Sequence, residues 1–293
     1  MLTTCVSSGP DSIQVTKVLG GIMTGNSTNG PLYFLPLGWA IVMIVIDFHP
    51  REETMRVLLS LSIALLFAAT GVAQYGDISD VKLLKPEDKE DVKSVPAPKG
   101  AVVLLDGKSL DKWTTRNDAK KPASWKLLEG GIAQVQGGDM VTKDTFGGSF
   151  KLHVEFRVPY MPKASGQGRG NSGVYLQGRY EVQVLDSYGL DSKDNDCGGI
   201  YGIAKPLKNA CKAPTVWQSY DIDFHSPKIV DGKKTMGRIT VLHNGIKIHD
   251  DVKLTKDNTT AGAGGDPGTP GPILLQDHGN PVQYRNIWLK TEK

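Results

Sequence analysis

Two-residue alternation of apolar side chains, with almost no helical periodicity to compete with it, most narrows what this chain can fold into. In FKLHVEFRV (150–158), Phe150, Leu152, Val154, Phe156 and Val158 fall on every second position, as in a strand with one buried face. Similar runs recur as AVVLL (101–105), SGVYLQ (172–177), YEVQVLD (180–186), SYDIDFH (219–225), GRITVLH (237–243), IKIHD (246–250), PILLQDH (272–278) and YRNIWLK (284–290). Gly, Asn, Asp and Pro separate them, and the total of 34 glycines and 17 prolines suits a turn-rich chain. Asn244-Gly245, between two of the runs, predicts a two-residue hairpin. No internal repeat of fixed period is visible. The pattern predicts one all-β, antiparallel sandwich or barrel over residues 100–293.

The one stretch with a different character is MRVLLSLSIALLFAATGVA (55–73). Arg56 precedes a long apolar run, and Gly71 and Ala73 stand in the small-residue positions before a cleavage site. This predicts a secretory signal peptide cut after Ala73, and hence a secreted or periplasmic protein. A signal peptide belongs at an N-terminus, so residues 1–54 are expected to be an extension from a start codon placed too early, with translation beginning at Met55. The apolar stretch Leu32–Ile46 would be a marginal membrane anchor if that extension is made, being short for a bilayer span and interrupted by Pro36. Residues 74–99 are polar and run into VPAPKG (95–100), which predicts a linker with little structure.

With 34 basic and 31 acidic residues, the net charge is +3. That excess is small and scattered, which argues against a nucleic-acid partner. The sequence contains no phosphate-cradling loop, HExxH, G-x-S-x-G or dinucleotide fingerprint. Cys197 and Cys211, fourteen positions apart across a glycine-rich loop, could close a disulfide in an oxidising compartment or remain two free thiols. With no histidine at ligand spacing, they argue against a zinc site.

Candidate chemistry therefore rests on polar residues at unexpected places in strands. Alternation puts Tyr180, Val182 and Val184 on one face of their strand and Glu181, Gln183 and Leu185 on the other. That second face is either a partly enclosed polar surface or simply exposed to solvent. Gln276, His278 and Asn280 follow the run at 272–278, with Arg285 and Asn286 in the next strand. His278, at a strand-to-turn junction, is a residue type able to pass protons either way near neutrality. Asp221, Asp223 and His225 share a face that reads as solvated, although they leave a divalent metal open. His243 and His249 flank the hairpin and read as structural. Asn171 follows GQGRG in a loop suited to covering a cleft. Tyrosines and tryptophans, Tyr175, Tyr188 and Tyr201 among them, could stack on sugar faces.

LLDGKSLDKW (104–113), NSGVYLQGRYEVQVLD (171–186), CGGIYG (197–202), WQSYDIDF (217–224), VLHNG (241–245) and LQDHGNPVQYRNIW (275–288) occur in that order. Together they resemble the secreted 3-keto-disaccharide hydrolase family, also described as 3-keto-glucoside 1,2-lyase and 3-keto-2-hydroxy-glucal hydratase domains. The resemblance spans residues 100–293 and implies a concanavalin A-like jelly roll, similar to laminin-G and lectin sandwiches. It implies a substrate already oxidised to a ketone at C3, elimination at C1 after C2 deprotonation, and hydration of the resulting glucal. On it, Glu181 is expected to be the base and His278 the acid or enolate stabiliser. Asn171, Arg179, Gln183, Asp186, Tyr201, Gln276 and Arg285 are expected to position the sugar. Gln177 stands where many relatives carry arginine, and Arg179 could substitute. The competing readings are a non-catalytic carbohydrate-binding module and a surface adhesion or scaffold domain.

Overall fold

The computed structural model describes residues 75–292, and within residues 1–74 the backbone of four strands alone. These are β1 (Leu2–Val6), β2 (Ile13–Val18), β3 (Leu32–Leu37) and β4 (Ala40–Val45), paired antiparallel in the order β1-β2-β4-β3 within a unit of their own, Met1–Ala69. The signal peptide expected at 55–73 lies outside the described residues. Among the described residues, no helix is long and apolar enough to cross a membrane.

The described residues of the second unit, Thr70–Lys293, are all-β apart from short 3-10 turns. Its strands are β5 (Val102–Leu105), β6 (Trp113–Thr115), β7 (Asp118–Pro122), β8 (Lys126–Leu128), β9 (Ile132–Gln134), β10 (Met140–Thr142), β11 (Ser149–Arg157) and β12 (Ser172–Leu176). There follow β13 (Tyr180–Val184), β14 (Gln218–His225), β15 (Lys228–Val230), β16 (Lys233–Thr235), β17 (Arg238–His243), β18 (Ile246–Lys253), β19 (Leu274–Leu275) and β20 (Gln283–Thr291). One sheet runs β13-β12-β19-β10-β6-β7, and a larger one β18-β17-β14-β11-β20-β9-β8 with β5 also beside β20. β15 and β16 form a separate ribbon. As the turn chemistry predicts, Asn244 and Gly245 join β17 to β18 with φ of 53° and 76°, the left-handed pair that a tight hairpin between twisted strands requires.

The two sheets pack face to face. Phe150, Leu152, Val154 and Phe156 of β11, Tyr220, Ile222 and Phe224 of β14, and Tyr284 of β20 share one buried cluster with Val174 and Leu176 of β12 and Tyr180, Val182 and Val184 of β13. Across the layers, the Tyr180 and Phe224 rings lie 5.9 Å apart and the Tyr284 hydroxyl donates to Ser172 Oγ at 2.7 Å. Hydrophobic burial on this scale, at about 25 cal/mol per Å² of apolar surface, is what holds a two-layer β fold together.

Residues 75–99 are irregular, as their composition predicts, yet they are tied down as a strap. Val92 N–H donates to the Trp217 carbonyl at 3.0 Å, and the Val95 carbonyl accepts from Asn286 Nδ2 at 2.8 Å and Trp288 Nε1 at 3.1 Å. Ser94 reaches beneath the strap to the carboxylate of Glu155. The outer face of the larger sheet is thereby buried around a polar network. His153 bonds Asp221 at 2.6 Å and stacks on Trp288 with ring centroids 5.0 Å apart, while Arg285 Nε donates to Glu155 at 2.6 Å. Asp221 keeps the partial exposure expected of a solvated face, with its side chain 40% exposed, and its carboxylate also pairs with His153 opposite it in the β11–β14 ladder.

Candidate active site

Strand register assembles the site. Val141, Leu274, Tyr175 and Glu181 are successive partners across β10, β19, β12 and β13, so they form one row on one face of the smaller sheet. Two residues along each strand, the same face carries Asp139, Gln276, Gly173 and Gln183, and β6 continues the row with Arg116. This is the face turned away from the sandwich core: Tyr175 and Leu274 are buried, yet neither belongs to the core cluster.

Gly173 is essential to the packing here. A Cβ at this position would stand 2.5 Å from Glu181 Oε1 and 2.9 Å from the Tyr175 ring. Its absence creates the recess into which the carboxylate folds. Glu181 is only 3% exposed. Burial destabilises its charged form, the neighbouring Tyr175 side chain partly offsets this, and the Asp139 carboxylate adds repulsion, so the pKa is raised to about 7. Tyr175 is itself pushed upward, first by burial and then by Glu181. Gln276 Nε2 donates to the Tyr175 hydroxyl at 2.9 Å. Arg116 pairs with Asp139 at 2.9 Å and donates to the Ala261 carbonyl at 3.0 Å.

A glycine-rich segment, residues 255–272, closes over this face. It is anchored at β13 by Glu181 N–H to Thr259 Oγ1 at 3.1 Å and Thr259 N–H to the Arg179 carbonyl at 2.9 Å, and across the sheet by the Ala261–Arg116 bond. A buried carboxyl whose pKa is raised to about 7, recessed beside a phenol, can both take and return a proton.

Of the sequence-nominated residues, Gln183 and Gln276 share the Glu181 face. Gln183 lies two residues along from Glu181 on the same face, and its amide donates to Gln167 at 3.1 Å and to the Asn195 carbonyl at 3.4 Å. The Asn171 side-chain amide donates to the Gln167 carbonyl at 2.7 Å, while its Oδ1 is buried without a partner. Asp186 pairs with Arg169 at 3.2 Å, and burial raises its pKa. Tyr201 donates its backbone N–H to the Glu181 carbonyl at 3.1 Å. His278 is exposed in the loop after β19, two residues beyond Gln276.

Other nominated residues are engaged elsewhere. The Arg179 guanidinium is taken up by the Gly264 carbonyl and by Thr269, at 2.9–3.1 Å, fastening the covering segment. Gln177 occupies the β12–β13 turn with φ 52°, and its amide binds the Phe146 carbonyl at 3.0 Å. Arg285 is not brought to Glu181: β20 belongs to the other sheet, and its guanidinium lies against Glu155 and 4.1 Å over the Trp217 ring. Cys197 and Cys211 stand as free, buried thiols rather than as the disulfide the spacing allows. Asp139 and Arg116 were not singled out by sequence as site residues, and Tyr175 was named only among the rings able to stack on a sugar. Period-two alternation within a strand is local, whereas their row is built by pairings between distant segments.

A surface hollow of about 430 Å³ lies along Ser192, Lys193, Asp194, Ile203, Ala204 and Lys205, in the excursion between β13 and β14, and does not include Glu181.

The family model of the 3-keto-alpha-glucoside-1,2-lyase-like domain matches residues 100–290. Among solved structures, a Parabacteroides distasonis protein provisionally named a glycosyl hydrolase is 33% identical, with a TM-score of 0.60, over 74% of this chain and 97% of its own. A second protein of that organism with the same provisional name is 19% identical, with a TM-score of 0.49, over 72% of this chain and 99% of its own. No curated protein matches.

Proposed function

Since the chain belongs to the 3-keto-alpha-glucoside-1,2-lyase-like domain family, we propose that it is an exported, carbohydrate-active hydrolase acting on 3-keto-glycosides from a concanavalin A-like jelly roll. The observation that carries this reading is the Glu181 carboxylate, recessed against Gly173 with its pKa near 7. A C3 ketone acidifies the C2 proton. Glu181 takes that proton, and the C2 electron pair becomes an enolate on the C3 oxygen. The enolate collapses, breaking the C1–O bond; the departing oxygen takes a proton from His278 at the rim, and a 3-keto-2-hydroxy-glucal remains. Hydration reverses the sense: water adds its oxygen to C1 and gives up a proton to His278, and the protonated Glu181 returns its proton to C2. Arg116 supplies positive charge near the developing enolate, and Gln276 and Tyr175 hold Glu181 in line. Gln183, Asn171 and Asp186 extend the polar surface that orients the sugar hydroxyls. Admission of a pyranose requires residues 255–272 to swing away from the face, a motion of the kind that gates many closed sites.

Incubating the protein with a panel of 3-keto-glucosides, while following the ultraviolet absorbance of the unsaturated ketone, tests the reading directly. Turnover is expected, with kcat/KM rising with pH through about 7 as Glu181 loses its proton. Binding without turnover across the panel would leave a carbohydrate-binding module instead. In the same assay Gly173→Ala is expected to lower kcat/KM by about 10²-fold, since the new methyl displaces the Glu181 carboxylate by an ångström or so.

A further inference from the structure

Thirty-three residues separate β13 from β14, and apart from isolated bridges at Ile200 they contain no regular strand or helix. Excursions of this length inside a compact domain are uncommon and need something to hold them. Cys197 and Cys211 both lie in this one, and both are buried, at 2% and 8% exposure. Opposite them, from β17, comes His243, 1% exposed. Ligand atoms of all three residues lie within 4.8 Å of one another.

The hydrogen bonds define what His243 presents to the thiols. Gln218 Oε1 accepts the backbone N–H of Lys212 at 2.9 Å, which identifies that atom as the amide oxygen. His243 Nε2 lies 2.9 Å from the same oxygen and must therefore be the N–H donor. The neutral ring then has a bare lone pair on Nδ1. That atom is buried and has no hydrogen-bond partner among the described residues. An orphaned acceptor in the interior is costly unless something electrophilic meets it. Donation of the other ring nitrogen to a carbonyl is also the usual way a metal-binding imidazole is oriented.

The geometry points to a structural metal site at Cys197, Cys211 and His243 for a thiophilic, zinc-like divalent cation. Two thiolates and one imidazole form a donor set suited to zinc. Zinc–sulfur and zinc–nitrogen bonds would place the ligand atoms roughly 3.5–3.8 Å apart, so the cluster contracts by about an ångström on binding. Loading releases the two thiol protons to solvent and forms two Zn–S bonds and one Zn–N bond, with no change in oxidation state. The Tyr220 hydroxyl lies 3.1 Å from Cys197 Sγ and also donates to the Gln183 carbonyl at 2.7 Å. The ion would thus staple the excursion to β17 and brace the strand that carries Gln183 and Glu181. This inference stands apart from the reading of Glu181 as a base.

The full chain, produced with zinc supplementation and purified under reducing conditions, tests it. About one zinc per chain is expected, released stoichiometrically as a mercurial reagent blocks the two thiols. Cobalt(II) in place of zinc is expected to give the charge-transfer absorption of a thiolate-bound ion. Cys211→Ser is expected to retain at least tenfold less zinc. The mercurial titration on the unmodified protein stands even if that variant fails to fold. Metal content no higher than the variant's overturns the proposal, as does an unmodified protein carrying Cys197 and Cys211 as a disulfide without metal.

Discussion

Replacing Glu181 by glutamine is expected to cut kcat/KM on a 3-keto-glucoside by about 10²- to 10⁴-fold, the usual range for a positioned proton-transfer group. The amide keeps the shape that fills the recess beside Gly173 but cannot accept the C2 proton. The same substitution should leave the protein more stable at neutral and alkaline pH. A carboxyl whose folded pKa is raised from 4.5 to about 7 is protonated in the native state while the unfolded chain is already ionised. Stability therefore falls as pH climbs from about 4.5 to about 7, and Glu181→Gln removes that penalty. A rise in Tm at pH 8 alongside the lost turnover separates lost chemistry from lost folding. Unchanged kcat/KM would remove Glu181 from the mechanism.

On the opposite outer face, Glu155→Ala is expected to be the most damaging single change to stability, at about 3–5 kcal/mol, because it removes one partner of a buried ionic network. Glu155 is fully buried, and Arg285, Asn286, Ser94 and His153 all direct hydrogen bonds at it. For a domain of this size the loss corresponds to a drop in Tm of about 6–20 °C, measurable by calorimetry. The strap at Ser94 and Val95 should become accessible to protease in the variant, since it loses its anchor. A Tm within a degree or two of the parent would show that the network contributes nothing net.

The pH dependence of the same network follows with its sign. Burial disfavours the Glu155 carboxylate, yet its hydrogen bonds win and hold the pKa at about 2, below its ordinary 4.5. Its contribution is present above about pH 4.5 and disappears as pH falls through about 2. Burial would lower the pKa of His153, but hydrogen bonds to Asp221 and Glu155 outweigh it and raise the value above 6.5. That contribution is complete below about 6.5 and is lost as pH rises through the elevated value.

What could be read along the chain was whatever depends on near neighbours. Alternation in 150–158 marked β11, Asn244-Gly245 marked the β17–β18 hairpin, and the opposition of Glu181 and Gln183 to Val182 and Val184 was correct, because successive side chains of a strand must point to opposite faces. The polar, proline-bearing stretch was legible as irregular backbone, which residues 75–99 show, but not as a strap, since its partners Glu155, Trp217 and Asn286 are far away in sequence. Which strands share a sheet was equally hidden. Arg285 and Glu181 stand in two motifs of one resemblance yet lie on different sheets, while Arg116 and Asp139, unremarkable in their own segments, fall onto the Glu181 face through pairings of β6 with β10 and β10 with β19. His243 meets Cys197 and Cys211 only because β17 pairs with β14 beneath the long excursion. Local sterics and turn chemistry determine strand identity and side-chain face from a few adjacent residues. Sheet membership is decided by burial of apolar faces from the whole chain at once, and the site is a product of that second, non-local choice.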